Sequence, residues 1–324
     1  MRRIDVFNGD ADGLCALHQL RLAEPAATEL VTGLKREIAL LERVQAGAGD
    51  EVTVLDISLE RNRAALESLL ARGVKLRWFD HHYAGAIPSH PGLRAAIDES
   101  GEVCTSMLVD RELGGRYRPW AVVAAFGDNL EDSARSLASG LGLDAGRVAR
   151  LRLLGKCLNY NAYGERSDDQ LVQPIDLYHV IHRYEDPLRL LDEEPLVARL
   201  AKGRETDLAL TRAVPPLREH DGGDAWLLPD APWGRRVIGE YANALATDDA
   251  GRAHAVLVPN GAGGYTISVR SPRGRGSAAA LCRRYPTGGG RALAAGIDHL
   301  DPARIEEFLG EYHRFWAEAA REVH

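Results

Sequence analysis

The sequence predicts an α/β protein in which a doubly wound, mostly parallel sheet comes first, a helical connection follows and a smaller α/β domain ends the chain. Three observations carry this. Short β-branched runs alternate with amphipathic stretches up to about residue 80, the pattern of strands covered by helices. From Val103 to Leu210 apolar residues recur at three-to-four spacing, with glycines and prolines at the turns. Beyond Asp221-Gly222-Gly223-Asp224, strand-like runs return. A length of 324 residues suggests two domains at roughly 150 residues each. Hydrophobic residues at 45% and charged residues at 27% are ordinary globular values.

Taken in order, strands are expected at Ile4 to Phe7, Leu30 to Gly33, Val52 to Leu55 and Lys75 to Phe79. Helical spacing covers Leu14 to Ala23 and Leu59 to Arg72, the second with Ser58 as N-cap and Gly73 as stop. Pro215, Pro216 and the glycines and acids of 221–224 read as a linker. The chain then divides into 1–140, a helical connection 141–220 and a C-terminal domain 221–324. In the last, strands are expected at Trp226 to Leu228, Ala255 to Val258 and Tyr265 to Val269, then a glycine- and arginine-rich loop and an amphipathic helix from Pro302 to Arg321.

The N-terminus, Met1-Arg2-Arg3-Ile4-Asp5-Val6, has no apolar segment of the signal-peptide kind, and no apolar run approaches the roughly 20 residues of a membrane span. A cytoplasmic location is expected. Cys15, Cys104, Cys157 and Cys282 are isolated, as reduced structural thiols would be. A net charge of −7 argues against a protein that coats long nucleic acid. Six arginines and no acid nevertheless lie between Arg270 and Arg291, a local anion-binding candidate.

The chemistry is suggested by where the acids sit. Asp10 and Asp12 follow the first strand, Asp56 ends the run VTVLD, Asp80 ends KLRWFD, and Asp128 follows AVVAAFG. Residues just past the carboxyl ends of parallel strands share one crevice, so separate segments deliver acids to one place, with His81 and His82 beside them. Clustered carboxylates raise one another's pKa unless a cation neutralises them. A site rich in carboxylate oxygen with an imidazole suits Mn²⁺ or Mg²⁺ better than structural Zn²⁺.

These residues resemble the DHH phosphoesterase superfamily, whose members include nanoRNases, nucleoside-bisphosphate phosphatases, cyclic-dinucleotide phosphodiesterases and single-strand exonucleases. The motifs stand in order: Asn8-Gly9-Asp10-Ala11-Asp12-Gly13, Leu55-Asp56-Ile57-Ser58, Asp80-His81-His82 and Gly127-Asp128-Asn129. Near the C-terminus, Gly288-Gly289-Gly290-Arg291 and the residues after it look like the glycine-rich motif of the associated C-terminal domain. The resemblance implies a hydrolase using two Mn²⁺ ions, with Mg²⁺ as the alternative, and a hydroxide held between them. Asp10 would ligate the first ion, Asp12, His81 and Asp128 the second, and Asp56 both. Asp80 would orient His81, and His82 would stand at the scissile phosphate. Substrate would be a short oligonucleotide or small nucleotide held between the two domains, with Arg270, Gly288, Gly289, Gly290 and Arg291 gripping it. No membrane or long duplex partner is expected, and the sequence leaves room for a homodimer.

Two positions depart from the family pattern. Asn8 stands near the place where several branches carry a metal-binding histidine, and its amide oxygen is a weaker ligand. Arg291 replaces the glycine motif's usual histidine; it binds phosphate but carries no proton near pH 7. The alternatives are a nucleoside-bisphosphate phosphatase, a polyphosphate hydrolase, or a nucleotide-binding module without catalysis. His179 and His182 share a helical spacing without a third ligand and read as packing residues. So do Tyr160 and Tyr163.

Overall fold

The computed structural model describes residues 1–321. Its first sheet has five parallel strands: β1 Arg3–Asn8, β2 Glu29–Gly33, β3 Glu51–Leu55, β4 Lys75–Asp80 and β5 Leu93–Ile97, in the order β2-β1-β3-β4-β5. Both faces are covered, which is why these strands read as near-continuous apolar runs. Phe7, Leu55 and Phe79 pack with residues of α1 (Ala11–Ala23), and Ile4, Val6, Val54 and Trp78 pack with Leu66, Leu69 and Leu70 of α2 (Arg63–Ala71). The fold is therefore doubly wound. β5 had no strand signal, because Leu-Arg-Ala-Ala-Ile has one β-branched residue and is extended by pairing with β4.

The α1 helix begins earlier than its apolar spacing suggests, because the Asp10 side chain accepts from the amides of Asp12 and Gly13 and starts it at Ala11. Ser58 does not cap α2. A 3-10 turn at Glu60–Asn62 intervenes and Asn62 stands at the cap position, while Gly73, at φ 79°, ends the segment as expected. The helical stretch comprises α3 Thr105–Glu112, α4 Arg118–Gly127, α5 Glu131–Ser139, α6 Ala145–Ala162, α7 Pro174–Ile181, α8 Pro187–Glu193 and α9 Pro195–Thr211. Two compact units result. The first contains Met1–Tyr163 and Gln170–Lys202; the second contains Gly164–Asp169 and the chain from Gly203 onward.

The second unit is built on a mixed six-stranded sheet of β6 Pro216–His220, β7 Gly223–Leu227, β8 Ala253–Pro259, β9 Tyr265–Arg270, β10 Gly288–Gly290 and β11 Ala294–Leu300. Here the sequence reading is corrected. Asp221-Gly222 is not part of a linker but the two-residue turn of the β6–β7 hairpin, since His220 pairs with Gly223. Pro216 is tolerated because it opens an edge strand. The helix α10 (Pro232–Asp248), not foreseen, supplies the crossover that the parallel β7–β8 pair needs. The triple glycine is a strand rather than a loop, pairing antiparallel with β11. After the short α11 (Ala278–Cys282), α12 (Ile305–Arg321) buries Phe308, Leu309, Tyr312 and Trp316, a three-to-four stripe, against Ile267, Val269 and Ile297. All four cysteines are free and buried. Among the described residues no helix is long and apolar enough to cross a membrane.

Candidate metal centre

The strand order reverses direction at β1, with β2 on one side and β3 on the other, so a crevice opens at the carboxyl ends of β1 and β3. Asp10 caps α1, its Oδ1 accepting the amides of Asp12 and Gly13 at 3.0 and 3.1 Å. Gly13 is required there: a Cβ would lie 2.2 Å from the Asn8 carbonyl oxygen. Asp12 reaches across to the N-terminus of α3, its two oxygens accepting the amides of Thr105 and Ser106 at 2.7 Å each. Asp56 follows β3 with φ 60°, a left-handed conformation uncommon for residues with a side chain. Its amide donates to the Phe79 carbonyl at 3.0 Å, and Thr105 Oγ1 lies 3.3 Å from its Oδ1. Local backbone strain is thus spent on aiming one carboxylate into the crevice.

His81 is the centre of the cluster. Its Nδ1 lies 2.9 Å from the Val103 carbonyl, which can only accept, so Nδ1 carries a proton and Nε2 is the ring atom turned to the acids. That Nε2 faces Asp56 Oδ1 and Asp128 Oδ2, each at 3.4 Å, and Asp12 Oδ2 at 3.9 Å. Asp128 arrives from a different element than the other acids. The run AVVAAFG is the end of α4, not a strand, and Asp128 stands at its C-cap. The negative end of a helix disfavours an acid, so this carboxylate adds to the local need for a cation.

The role expected of Asp80 is also corrected. Its Oδ1 lies 2.7 Å from Nδ1 of His82, whereas His81 is oriented by Val103. Asp80 ends β4 and reaches the ring two residues on, while the His81 ring, 4.5 Å from that of His82, is tied to Val103 instead. The His82 side chain is 46% exposed and that of His81 only 5%, so His82 alone can meet a ligand from solvent.

Two further residues enter the cluster that motif reading missed. Lys35, just past β2, places Nζ in hydrogen-bond contact with Asp10, 3.1 Å from Asn159 Oδ1 of α6 and 3.7 Å from Asp128 Oδ1. A lone lysine after an edge strand carries no signal; its position at the carboxyl end of β2 was the available clue. Tyr160, beside Asn159, is a buried core residue, and the Tyr163 ring lies 5.6 Å from Lys35 Nζ. His182 stacks on Tyr178 and lies 3.3 Å from His18, a packing arrangement.

No protein-family model matches the chain, and no curated protein matches it. Solved structures do. Exonuclease RecJ bound to manganese is 20% identical over 99% of this chain and 90% of that one, at a TM-score of 0.63. RecJ in complex with Mn²⁺ from Thermus thermophilus is 21% identical over 99% of this chain, which spans 52% of that longer protein, at 0.65. The pGpG-specific phosphodiesterase PggH from Vibrio cholerae is 14% identical over 96% of this chain and 99% of that one, at 0.51. The chain has the fold of the RecJ exonuclease structures.

Within this fold the electrostatics follow from burial. Asp12 is pushed up to about 6, by burial first and then by the charge of Asp128. Asp56 is raised well above the usual carboxylate range by burial and then by Asp10, Asp12 and Asp128. Burial also acts to raise Asp10, but the Lys35 ammonium, Asp56 and the Gly13 amide outweigh it and bring it down to about 2. Lys35 itself is held well above its ordinary value, the charges of Asp10 and Asp128 overcoming the cost of burial. These residues fit a divalent cation, because carboxylate oxygens and an imidazole nitrogen from separate segments converge within ligand distance of one another. Asp56, His81 and His82 form one group, and Asp12, His81 and Asp128 another, whose ligand atoms lie within 4.8 Å of one another.

In the second unit, Arg270 is engaged inside its own domain, with Nε 2.6 Å from Asn243 Oδ1 and Nη2 3.2 Å from the Gly239 carbonyl. Arg284 pairs with Glu311 at 2.8 Å. Gly288 to Gly290 lie at the edge of the sheet and Arg291, exposed, makes the turn to β11.

Proposed function

We propose that this protein is a divalent-metal-dependent phosphoesterase that hydrolyses short oligonucleotides or small nucleotides. The observation that carries this reading is His81 Nε2, its ring held by Val103, facing carboxylate oxygens of Asp12, Asp56 and Asp128. Those residues would hold a cation, and Asp10, Asn8 and Asp56 line the neighbouring position. Mn²⁺ is the preferred ion and Mg²⁺ the alternative, because an imidazole joins the hard oxygen donors. Such an ion lowers the pKa of a bound water and neutralises phosphoryl oxygens. His82, half-exposed and held by Asp80, donates a hydrogen bond to the scissile phosphate or a proton to the leaving oxygen. Catalysis is assigned to the first unit, and phosphate recognition to Gly288, Gly289, Gly290 and Arg291 in the second. Arg270 serves there as a support, since its guanidinium already braces β9 against α10.

The net charge of −7 disfavours long polymers, while the arginine-rich segment suits one or two phosphates. That RecJ was solved with manganese and that PggH is a phosphodiesterase support the same chemistry on this fold. The test is incubation with Mn²⁺ and a panel of dinucleotides, nucleoside bisphosphates and polyphosphate. Hydrolysis of the dinucleotides, lost to chelator and restored by Mn²⁺, is expected. Preference for a bisphosphate or for polyphosphate would move the substrate to those classes, and tight nucleotide binding without turnover would make the protein a sensor. Asp56→Asn should lose more than about a hundredfold in kcat, beyond the loss typical of residues behind the ligands; retention of a tenth of the activity would sink the assignment.

A further inference from the structure

We propose that the Lys35 ammonium takes the place of one ion in this site, so that the folded protein binds a single divalent cation where the resemblance implies two. This rests on the metal reading above.

Lys35 is built into the cluster rather than resting on it. Its amide donates to the Ala162 carbonyl at 3.3 Å, and its carbonyl accepts from Asn8 Nδ2 at 3.3 Å. The side chain then crosses to Asp10, Asn159 and Asp128. Asn8 is engaged at both ends, its Oδ1 accepting the Asp10 amide at 3.2 Å while its Nδ2 holds the Lys35 segment. The residue that departs from the family's metal-binding histidine therefore positions the lysine instead.

Asp128 lies between the two cationic positions, with Oδ1 3.7 Å from Lys35 Nζ and Oδ2 3.4 Å from His81 Nε2. Net charge lies within one unit of balance with one ion or with two, so the positions of the groups decide. Asp10, Asp12, Asp56 and Asp128 bring at most four negative charges. One divalent ion and the lysine supply three positive charges, whereas two divalent ions and the lysine would supply five. A second ion about 3.5–4 Å from the first would also share the Asp10 carboxylate with an ammonium already in contact with it. A fixed charge on the side chain then does the neutralising work of that ion without having to be bound from solution.

The experiment is a count of bound Mn²⁺ by equilibrium dialysis with elemental analysis, together with the electron paramagnetic resonance signal of the bound ion. The wild-type protein should hold one Mn²⁺ per chain and show no exchange-coupled pair. Asp10→Asn should leave the count at one, because Asp10 serves the lysine. Lys35→Ala should admit a second ion and develop the coupled signal. Two ions in the wild type, or a Lys35→Ala protein that stays at one, would overturn the proposal. A Lys35→Ala chain that fails to fold leaves the wild-type and Asp10→Asn counts to decide. A wild-type protein that binds no Mn²⁺ would instead overturn the metal reading itself, and the two failures are thereby distinguished.

Discussion

Asp80 Oδ1 lies 2.7 Å from Nδ1 of His82, so a buried acid steers the exposed imidazole at the mouth of the site. Burial alone would lower the His82 pKa, but the Asp80 hydrogen bond and charge, and then Asp128, raise it above its ordinary value. Protonated His82 therefore persists to higher pH than a free histidine, and activity that needs it declines as pH rises through the raised pKa. Asp80→Asn removes the charge and should move that alkaline decline to lower pH and reduce kcat, with little change in KM for a dinucleotide. A kcat profile against pH measures this, and an unmoved decline would show that Asp80 acts elsewhere.

The metal-free protein should lose stability as pH rises from about 4 to about 6. The Asp12 carboxyl titrates at 3.8 unfolded and about 6 folded, so the folded state binds the extra proton in that window. Stability falls with pH wherever the native state holds more protons. Asp56 acts in the same direction. Added Mn²⁺ competes with those protons, so its stabilising shift in Tm should grow with pH across the window. Thermal melts with and without Mn²⁺ at several pH values check it; a shift that shrank with pH would count against the cluster as the binding site.

Gly127 and Ala11 set how closely α4 approaches the first turn of α1. A Cβ at Gly127 would lie 2.5 Å from Ala11 Cβ and 3.1 Å from the Gly155 carbonyl. Gly127→Ala should destabilise the fold by about 1–3 kcal/mol. Because Ala11 sits between Asp10 and Asp12, activity should fall further than the unfolded fraction accounts for. Urea titration beside kcat on the same preparation separates the two, and an unchanged midpoint would show that the helices can part.

Arg291 is proposed above to bind a substrate phosphate other than the scissile one. A charge-assisted hydrogen bond contributes about 1.5–3 kcal/mol, so Arg291→Ala should raise KM for a dinucleotide at least about tenfold. Bis(p-nitrophenyl) phosphate, which has no second phosphate, should change little. Steady-state kinetics on both substrates decide: equal losses would place Arg291 in the chemistry, and no loss on either would make it a solvated surface residue.

Strands β1, β3 and β4 were legible because burial on both faces writes them as apolar runs. Asp10, Asp12, Asp56, Asp80 and the histidines were legible because they follow strand ends, and all strand ends of a parallel sheet share an edge. Chain-local chemistry sufficed for these. The β6–β7 hairpin was misread because a turn and a linker share a composition, and only the pairing of His220 with Gly223 separates them. The triple glycine has no side chains to signal a strand, so β11 decides its conformation. Which histidine Asp80 holds was decided by the Val103 carbonyl, a long-range partner that takes Nδ1 of His81 and leaves Asp80 to His82. Asp128 could be picked out by its motif, but its delivery from a helix end and its place between His81 and Lys35 came from the packing of α4 against α1 and α6. Lys35 and Asn159 are 124 positions apart and carry no motif. Their meeting over Asp10 is a long-range contact that no local pattern encodes, and it is the tertiary structure that put a fixed positive charge among the carboxylates.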